Sequence, residues 1–62
     1  MENAIYEVTN KLGTNVFWSK DFTLASHEYR LRLWENCHQF IQFNEYTGDN
    51  YEIKNVISIH QG

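Results

Sequence analysis

The chain has a single cysteine, Cys37, among only 62 residues, and this combination limits how it can fold stably. A domain of this size buries only about 60% of the surface that its unfolded chain exposes. Most domains as short as this need a disulfide, a structural metal or a second subunit. One thiol cannot close a disulfide within the chain. We therefore expect one compact domain over residues 1–62, in a reducing compartment and stabilised by another route.

The sequence predicts a cytoplasmic protein, because it shows neither a leader pattern nor a long apolar run. No basic, apolar and small-residue leader opens the chain, and no apolar run approaches the roughly 20 residues that span a bilayer. We therefore expect no membrane contact.

The charge of the chain disfavours nucleic acid as a general partner. Eight acidic residues stand against five basic ones, which gives a formal net charge of −3. Affinity for phosphate backbones depends on clustered Lys and Arg side chains. The basic residues here are scattered, as Lys11, Lys20, Arg30, Arg32 and Lys54.

The first third of the chain predicts an antiparallel hairpin. Residues 4–9 have the period of two that is typical of a strand, with Tyr6 and Val8 on one face. Residues 10–15 contain the Asn and Gly types that tight turns favour. Residues 15–20 then supply β-branched and aromatic side chains for a second strand.

The last third predicts a second hairpin. Residues 39–46 are rich in aromatic rings and lack a helix cap, and residues 47–50 have the Gly and Asx content of a tight turn. Residues 51–60 form the strongest strand pattern in the sequence. One face of that strand, interrupted only by Asn55, is expected to carry Tyr51, Ile53, Ile57 and Ile59.

Residues 24–37 connect the two hairpins and could form a helix. In a helix, Glu28 and Arg32 pair at a spacing of four, and either Thr23 or Ser26 caps the first turn. The side of the helix that faces the sheet would consist of Phe22, Ala25, Tyr29, Leu33 and Cys37.

The same segment also has a strand interpretation, which sorts Tyr29, Leu31 and Leu33 to one face. Two arguments favour the helix: no turn signal separates residues 34 and 39, and a small sheet needs an element that covers its apolar face. We therefore predict an α+β fold of ββαββ order, in which two antiparallel hairpins form a sheet and one helix covers it. The alternative is an all-β five-stranded meander or small barrel.

The predicted helix would leave Leu24, Leu31 and Trp34 on its other flank. A contiguous apolar patch on so small a domain usually marks an interface. A second copy of the chain that covers this patch would supply the stabilisation that a disulfide cannot. We therefore expect a homodimer.

No constellation of residues predicts catalysis, a metal site or a cofactor. Cys37 and His38 are adjacent, but His27 and His60 are dispersed and lack the paired spacings of structural zinc sites. No phosphate-binding glycine loop is present in the sequence. We expect a protein that is not an enzyme.

The residues with most recognition character are Arg, Tyr, Trp and neighbouring Leu side chains, because such residues anchor many protein interfaces. The candidate partner-binding residues are Tyr29, Arg30, Arg32, Trp34, Trp18 and Leu31.

Two functions follow as hypotheses. The first is a small non-catalytic protein-binding module that occupies a site on a larger protein through its aromatic and acidic surface. Its specific form is an acidic phage-type inhibitor of a host enzyme or defence protein. This is an analogy of size and charge. Its negative surface would comprise Glu2, Glu7, Asp21, Glu45, Asp49 and Glu52.

The alternative is a single-stranded nucleic-acid-binding module, in which exposed rings stack on bases and cations contact phosphates. The rings would come from Trp18, Phe17, Phe40 or Phe43, and the cations from Lys20, Arg30 and Arg32.

Overall fold

The computed structural model describes residues 3–13 and 15–62, and at positions 15 and 53 it describes the backbone alone. The elements confirm the predicted ββαββ order and the helical interpretation of the central segment. They are β1 (Ala4–Asn10), β2 (Asn15–Ser19), α1 (Phe22–Glu35), β3 (Phe40–Thr47) and β4 (Ile53–Gln61).

The two hairpins join into one four-stranded antiparallel sheet in the order β2-β1-β3-β4. Pairing of β1 with β3 connects the hairpins, and Val8 lies opposite both Phe17 and Phe43. Helix α1 links β2 to β3 and packs on one face of the sheet, over β1, β2 and β3. We call the face of the sheet that α1 covers the helix face, and the opposite face the open face.

The helix begins earlier than the sequence predicts, because Asp21 and not Thr23 or Ser26 caps it. Oδ1 of Asp21 accepts hydrogen bonds from the backbone N–H groups of Thr23, at 2.8 Å, and Leu24, at 3.3 Å. Carboxylate acceptors at this position satisfy N–H groups that have no partner within the helix.

The other end of the helix is also two residues earlier than predicted. The last helical residue is Glu35, and the N–H of Asn36 donates to the carbonyl of Arg32. Cys37 therefore lies beyond the helix and is exposed, so its expected place on the buried side is wrong.

The core lies between α1 and the helix face. Ala25 and Tyr29 are the buried residues of the helix, and the Tyr29 ring stacks on Phe43 with centroids 5.5 Å apart. Leu33 packs at the margin of this cluster, and the half-exposed Phe22 still contacts the Phe43 ring at 5.7 Å. The buried apolar residues are Val8, Ala25, Tyr29, Ile41 and Phe43.

Strand β4 differs from its prediction in two ways. Tyr51 belongs to the preceding turn, where its φ is 53°, so it does not extend the apolar face of the strand. A bulge follows, because Phe43 pairs with Ser58 while Asn44 pairs with Val56, which leaves Ile57 as the extra residue. The predicted role of the Ile53 side chain lies outside the described part of the chain.

Candidate interaction surfaces

The outward side of α1 carries a line of mostly apolar side chains, which we call the outer stripe: Leu24, His27, Leu31 and Trp34. Their spacings of three, four and three residues place them on the side of the helix opposite Ala25 and Tyr29, which face the core. The residue exposures are 56% for Leu24, 41% for Leu31 and 86% for Trp34. The flank that the sequence predicts as unpacked is therefore exposed.

The two arginines of the helix differ in their surroundings. Nε of Arg32 donates to Oε2 of Glu28 at 2.8 Å, which confirms the predicted pair. Arg30 is exposed one helical turn before Trp34 and makes no hydrogen bond or ion pair with the described residues. Of the two guanidinium groups, Arg30 is the one available beside the outer stripe.

The open face of the sheet presents a second aromatic surface. Trp18, which is exposed on β2, stacks on Tyr46 of β3 with ring centroids 5.2 Å apart. Nζ of Lys54 lies 5.9 Å from the centroid of the Tyr46 ring, on the side of β4. This pair of rings covers the middle of the open face next to β2.

Beneath these rings lies a buried polar network that the sequence does not predict. Oε1 of Glu7 accepts hydrogen bonds from Nδ2 of Asn44, at 2.8 Å, and from the Tyr46 hydroxyl, at 3.0 Å. Nε2 of Gln42 donates in turn to Oδ1 of Asn44 at 2.6 Å. Glu7 is only 4% exposed and Asn44 is fully buried, although both belong to the face without a helix.

The same network changes the acidity of Tyr46. Burial raises the pKa of the Tyr46 hydroxyl, and the hydrogen bond to Glu7 and the negative charge of Glu7 raise it further. All three effects favour the protonated phenol, which is the form that donates to the carboxylate.

The predicted partner-binding residues do not form one site. Tyr29 lies in the core, where its hydroxyl is 3.1 Å from Oγ of Ser58, so its ring is withdrawn from any partner. Leu31 and Trp34 belong to the outer stripe, and Arg30 and Arg32 lie beside it. Trp18 lies on the open face, with the sheet between it and the helix.

The predicted acidic surface loses a member, because Glu7 is buried in the polar network. Asp21 caps the helix, and Glu45 is half-buried and accepts a hydrogen bond from Asn55. Asp49 and Glu52 are exposed in the turn between β3 and β4. Glu2 lies outside the described residues.

Most of the rings predicted to stack on bases are buried or half-buried. Phe43 is buried in the core, and Phe17 is half-buried and packs against it. Phe40 is half-buried, which leaves Trp18 as the exposed ring of that set.

The cysteine and histidines do not converge in the described part of the chain, where no three His, Cys, Asp or Glu side chains are placed to hold a metal ion together. Nε2 of His60 contacts the backbone carbonyl of Cys37 and not its thiol. His27 and His38 are exposed.

Comparisons of the chain with protein-family models, curated proteins and solved structures find no match. Within the described residues, no helix has the length and apolar character that crossing a membrane requires.

Proposed function

We propose that this protein is a non-catalytic protein-binding module that inserts the outer stripe of α1 into an apolar groove on a larger protein. The observation that carries the proposal is the 86% exposure of Trp34, in line with the exposed Leu31 and Leu24. Amphipathic helices dock in grooves through anchors at such spacings of three, four and seven residues.

The energetics of the outer stripe favour this use. Full burial of a large apolar side chain contributes roughly 1.5–3 kcal/mol, and Trp is among the residues most enriched in binding hot spots. The packing of Ala25 and Tyr29 already fixes the helix on the sheet. The stripe is thus presented in a preformed conformation, which reduces the entropy lost on binding.

Charged side chains near the outer stripe indicate which charges the partner protein should present around its groove. Arg30, which has no partner among the described residues, can pair with a carboxylate at the rim of the groove. At the other end of the helix, Asp21 is the N-cap residue. The exposed acids Asp49 and Glu52 follow β3. The finer form of the proposal, an acidic phage-type inhibitor that occupies a site on a host enzyme or defence protein, rests on the small size and the net charge of −3.

The test is a pull-down from a lysate of the host with tagged protein, in the presence and absence of nuclease and at low and high salt. We expect a protein captured in stoichiometric amount that survives both treatments. Trp34→Ala should weaken the interaction by about thirtyfold or more, which corresponds to the ≥ 2 kcal/mol typical of a hot spot. Leu31→Asp should weaken it as well.

Trp18→Ala is the matched control, because it removes an exposed indole from the opposite side of the molecule. Far-UV circular dichroism verifies that each variant is folded. Capture that tolerates Trp34→Ala and Leu31→Asp would refute the proposal. Recovery of nucleic acid that is lost at high salt and with Trp18→Ala would support the nucleic-acid alternative instead.

A further inference from the structure

Strand β4 is a long edge of the sheet with an apolar surface. It spans nine residues, Ile53–Gln61, and pairs only with β3 in the described sheet. Val56, Ile57 and Ile59 are 48%, 42% and 47% exposed. An edge strand of this kind presents a row of backbone N–H and C=O groups to any further strand.

The features that protect edge strands from pairing are confined to the first half of β4. Lys54 supplies a positive charge there, and the bulge at Val56 and Ile57 interrupts the regular ladder. After the bulge, residues 58–61 pair with β3 without a further register shift. They contain no Lys, Arg, Asp or Glu. The second half of the strand is therefore open to pairing.

We propose that residues 57–61 pair antiparallel with the same residues of a second copy of this chain, across a two-fold axis at Ile59. Ile59 then lies opposite Ile59 of the second copy, Ser58 opposite its His60, and Ile57 opposite its Gln61. The result is a continuous sheet in which the two β4 strands occupy the centre.

This register keeps every pair on a common face of the sheet. Ile59 and Gln61 pair with Gln42 and Phe40 on the open face. Ile57 is the extra residue of the bulge, and the alternation of side chains along a strand assigns it to the same face as Ile59. Ser58 and His60 pair with Phe43 and Ile41 and so belong to the helix face. Directly opposed residues of antiparallel strands share a face, as this register requires. The Ile57 and Ile59 side chains of both copies then form one apolar cluster on the open face.

The charge distribution points to a second copy as the occupant. Two identical chains of net charge −3 repel each other, so their contact must avoid acidic side chains. None of the eight acidic residues lies between residues 53 and 61. Pairing about Ile59 also keeps the two Lys54 side chains apart, at opposite ends of the joined strands. A two-fold axis closes the contact, so the expected product is a dimer and not a fibre.

The dimer contact is separate from the outer stripe. Helix α1 packs over β1, β2 and β3, whereas the contact uses the free edge of β4. Both outer stripes thus remain accessible in the dimer. The proposed function and this inference therefore fail independently of each other.

The first experiment measures the mass of the folded protein by sedimentation equilibrium. We expect a dimer at tens of micromolar, and a monomer for Ile59→Lys, because two lysines would then oppose each other at the axis. Trp34→Ala should remain a dimer, and circular dichroism verifies folding of both variants. Wild-type protein that is monomeric at these concentrations would overturn the inference. So would a dimer that Trp34→Ala dissociates and Ile59→Lys preserves, since the outer stripe would then be the contact.

The second experiment tests the register in a Cys37→Ser background, which removes the exposed native thiol. Ile59→Cys places two cysteines directly opposite each other, within the Cα separation of about 4.4–6.8 Å that a disulfide requires. It should give a disulfide-linked dimer on mild oxidation. Ser58→Cys is the matched control, because its two copies would be offset by two residues along the strands. Cross-linking through position 58 but not 59 would contradict the two-fold axis at Ile59.

Discussion

The carboxylate of Glu7, on β1, is buried and is surrounded by hydrogen-bond donors rather than by a positively charged side chain. Among the described residues its oxygens meet the Asn44 amide and the Tyr46 hydroxyl and form no ion pair. A buried charge is costly unless hydrogen bonds replace the lost water. The network is therefore a structural unit whose members depend on one another.

Glu7→Ala should lower the free energy of unfolding by about 1–3 kcal/mol, because it leaves the buried amide of Asn44 without its acceptor. Glu7→Gln retains an oxygen at the same place and should cost less. Urea denaturation measures both. The control is Glu35→Ala on the exposed side of α1, where we expect a change within about 0.5 kcal/mol. Equal effects at positions 7 and 35 would contradict the importance of the network.

Tyr46 makes the same network sensitive to alkaline pH. Its pKa is raised above the usual value of about 10, first by burial and then by Glu7. A folded-state pKa above the unfolded one stabilises the fold at pH values below the unfolded pKa, and that contribution is lost as the pH rises through the folded one. Stability should therefore fall as the pH rises above about 10.

The comparison of wild type with Tyr46→Phe isolates this contribution, since phenylalanine has no proton to lose. Denaturant titrations across the alkaline range should show a smaller decline for the variant. An NMR titration with ¹³C-labelled tyrosine should also show the pKa of Tyr46 falling when Glu7 is replaced by Gln. A Tyr46 pKa that does not respond to Glu7→Gln would contradict the assigned cause.

The burial of Glu7 could not be predicted from its own strand. The period of two in residues 4–9 correctly separates Glu7 from Val8, but it assigns an acidic residue to a solvated surface. Glu7 is buried because β2 supplies Trp18 and β3 supplies Tyr46, which stack above it. That cover depends on the register of three strands, which no local pattern specifies.

At the scale of elements, the helix was predictable in its faces and less so in its ends. The spacing of Ala25, Tyr29 and Leu33 identifies the packed side, and the same periodicity leaves Leu24, Leu31 and Trp34 outside. The start differs from the prediction because the sequence has three residues of capping type close together, Asp21, Thr23 and Ser26. Asp21 caps the helix with a carboxylate oxygen. Its own backbone N–H donates to Oγ of Ser19 at 2.9 Å.

Asp21→Ala should destabilise the protein by about 1 kcal/mol through loss of the cap. Asp21→Asn should retain most of the stability, because its side-chain oxygen can accept the same two hydrogen bonds. Thr23→Ala serves as the comparison, since Thr23 is an alternative cap from the sequence but lies within the first turn. Thermal or chemical unfolding measures all three. A loss at Thr23 that matches the loss at Asp21 would count against the observed cap.

Strand β4 shows where the pattern of an element fails. A regular alternation would carry the apolar face from Tyr51 to Ile59, but the positive φ of Tyr51 ends the turn and the bulge adds Ile57. Both features arise from how the strand meets β3. The bulge also leaves residues 58–61 as the regular part of an exposed edge.

At the scale of the whole molecule, the short length and the single cysteine indicate that a contact besides the apolar core stabilises the fold. They do not show which surface makes that contact. The buried apolar core of the described chain is small. The sequence predicts the dimer contact on the outward flank of the helix, at Leu24, Leu31 and Trp34. The edge position of β4 follows from pairing between β1 and β3, two strands distant in sequence, and this pairing could not be predicted from either hairpin.

If dimerisation through β4 supplies part of the stability, the unfolding midpoint must depend on protein concentration by mass action. With about 2.1 cal/mol/K of unfolding entropy per residue, a dimer of this size should gain about 5 °C in Tm for each tenfold increase in concentration. Scanning calorimetry over two decades of concentration measures this dependence. Ile59→Lys should unfold at a lower temperature that does not change with concentration, whereas Trp34→Ala should retain the wild-type slope. A wild-type midpoint independent of concentration would mean that the small core and the polar network under Trp18 and Tyr46 stabilise the single chain by themselves.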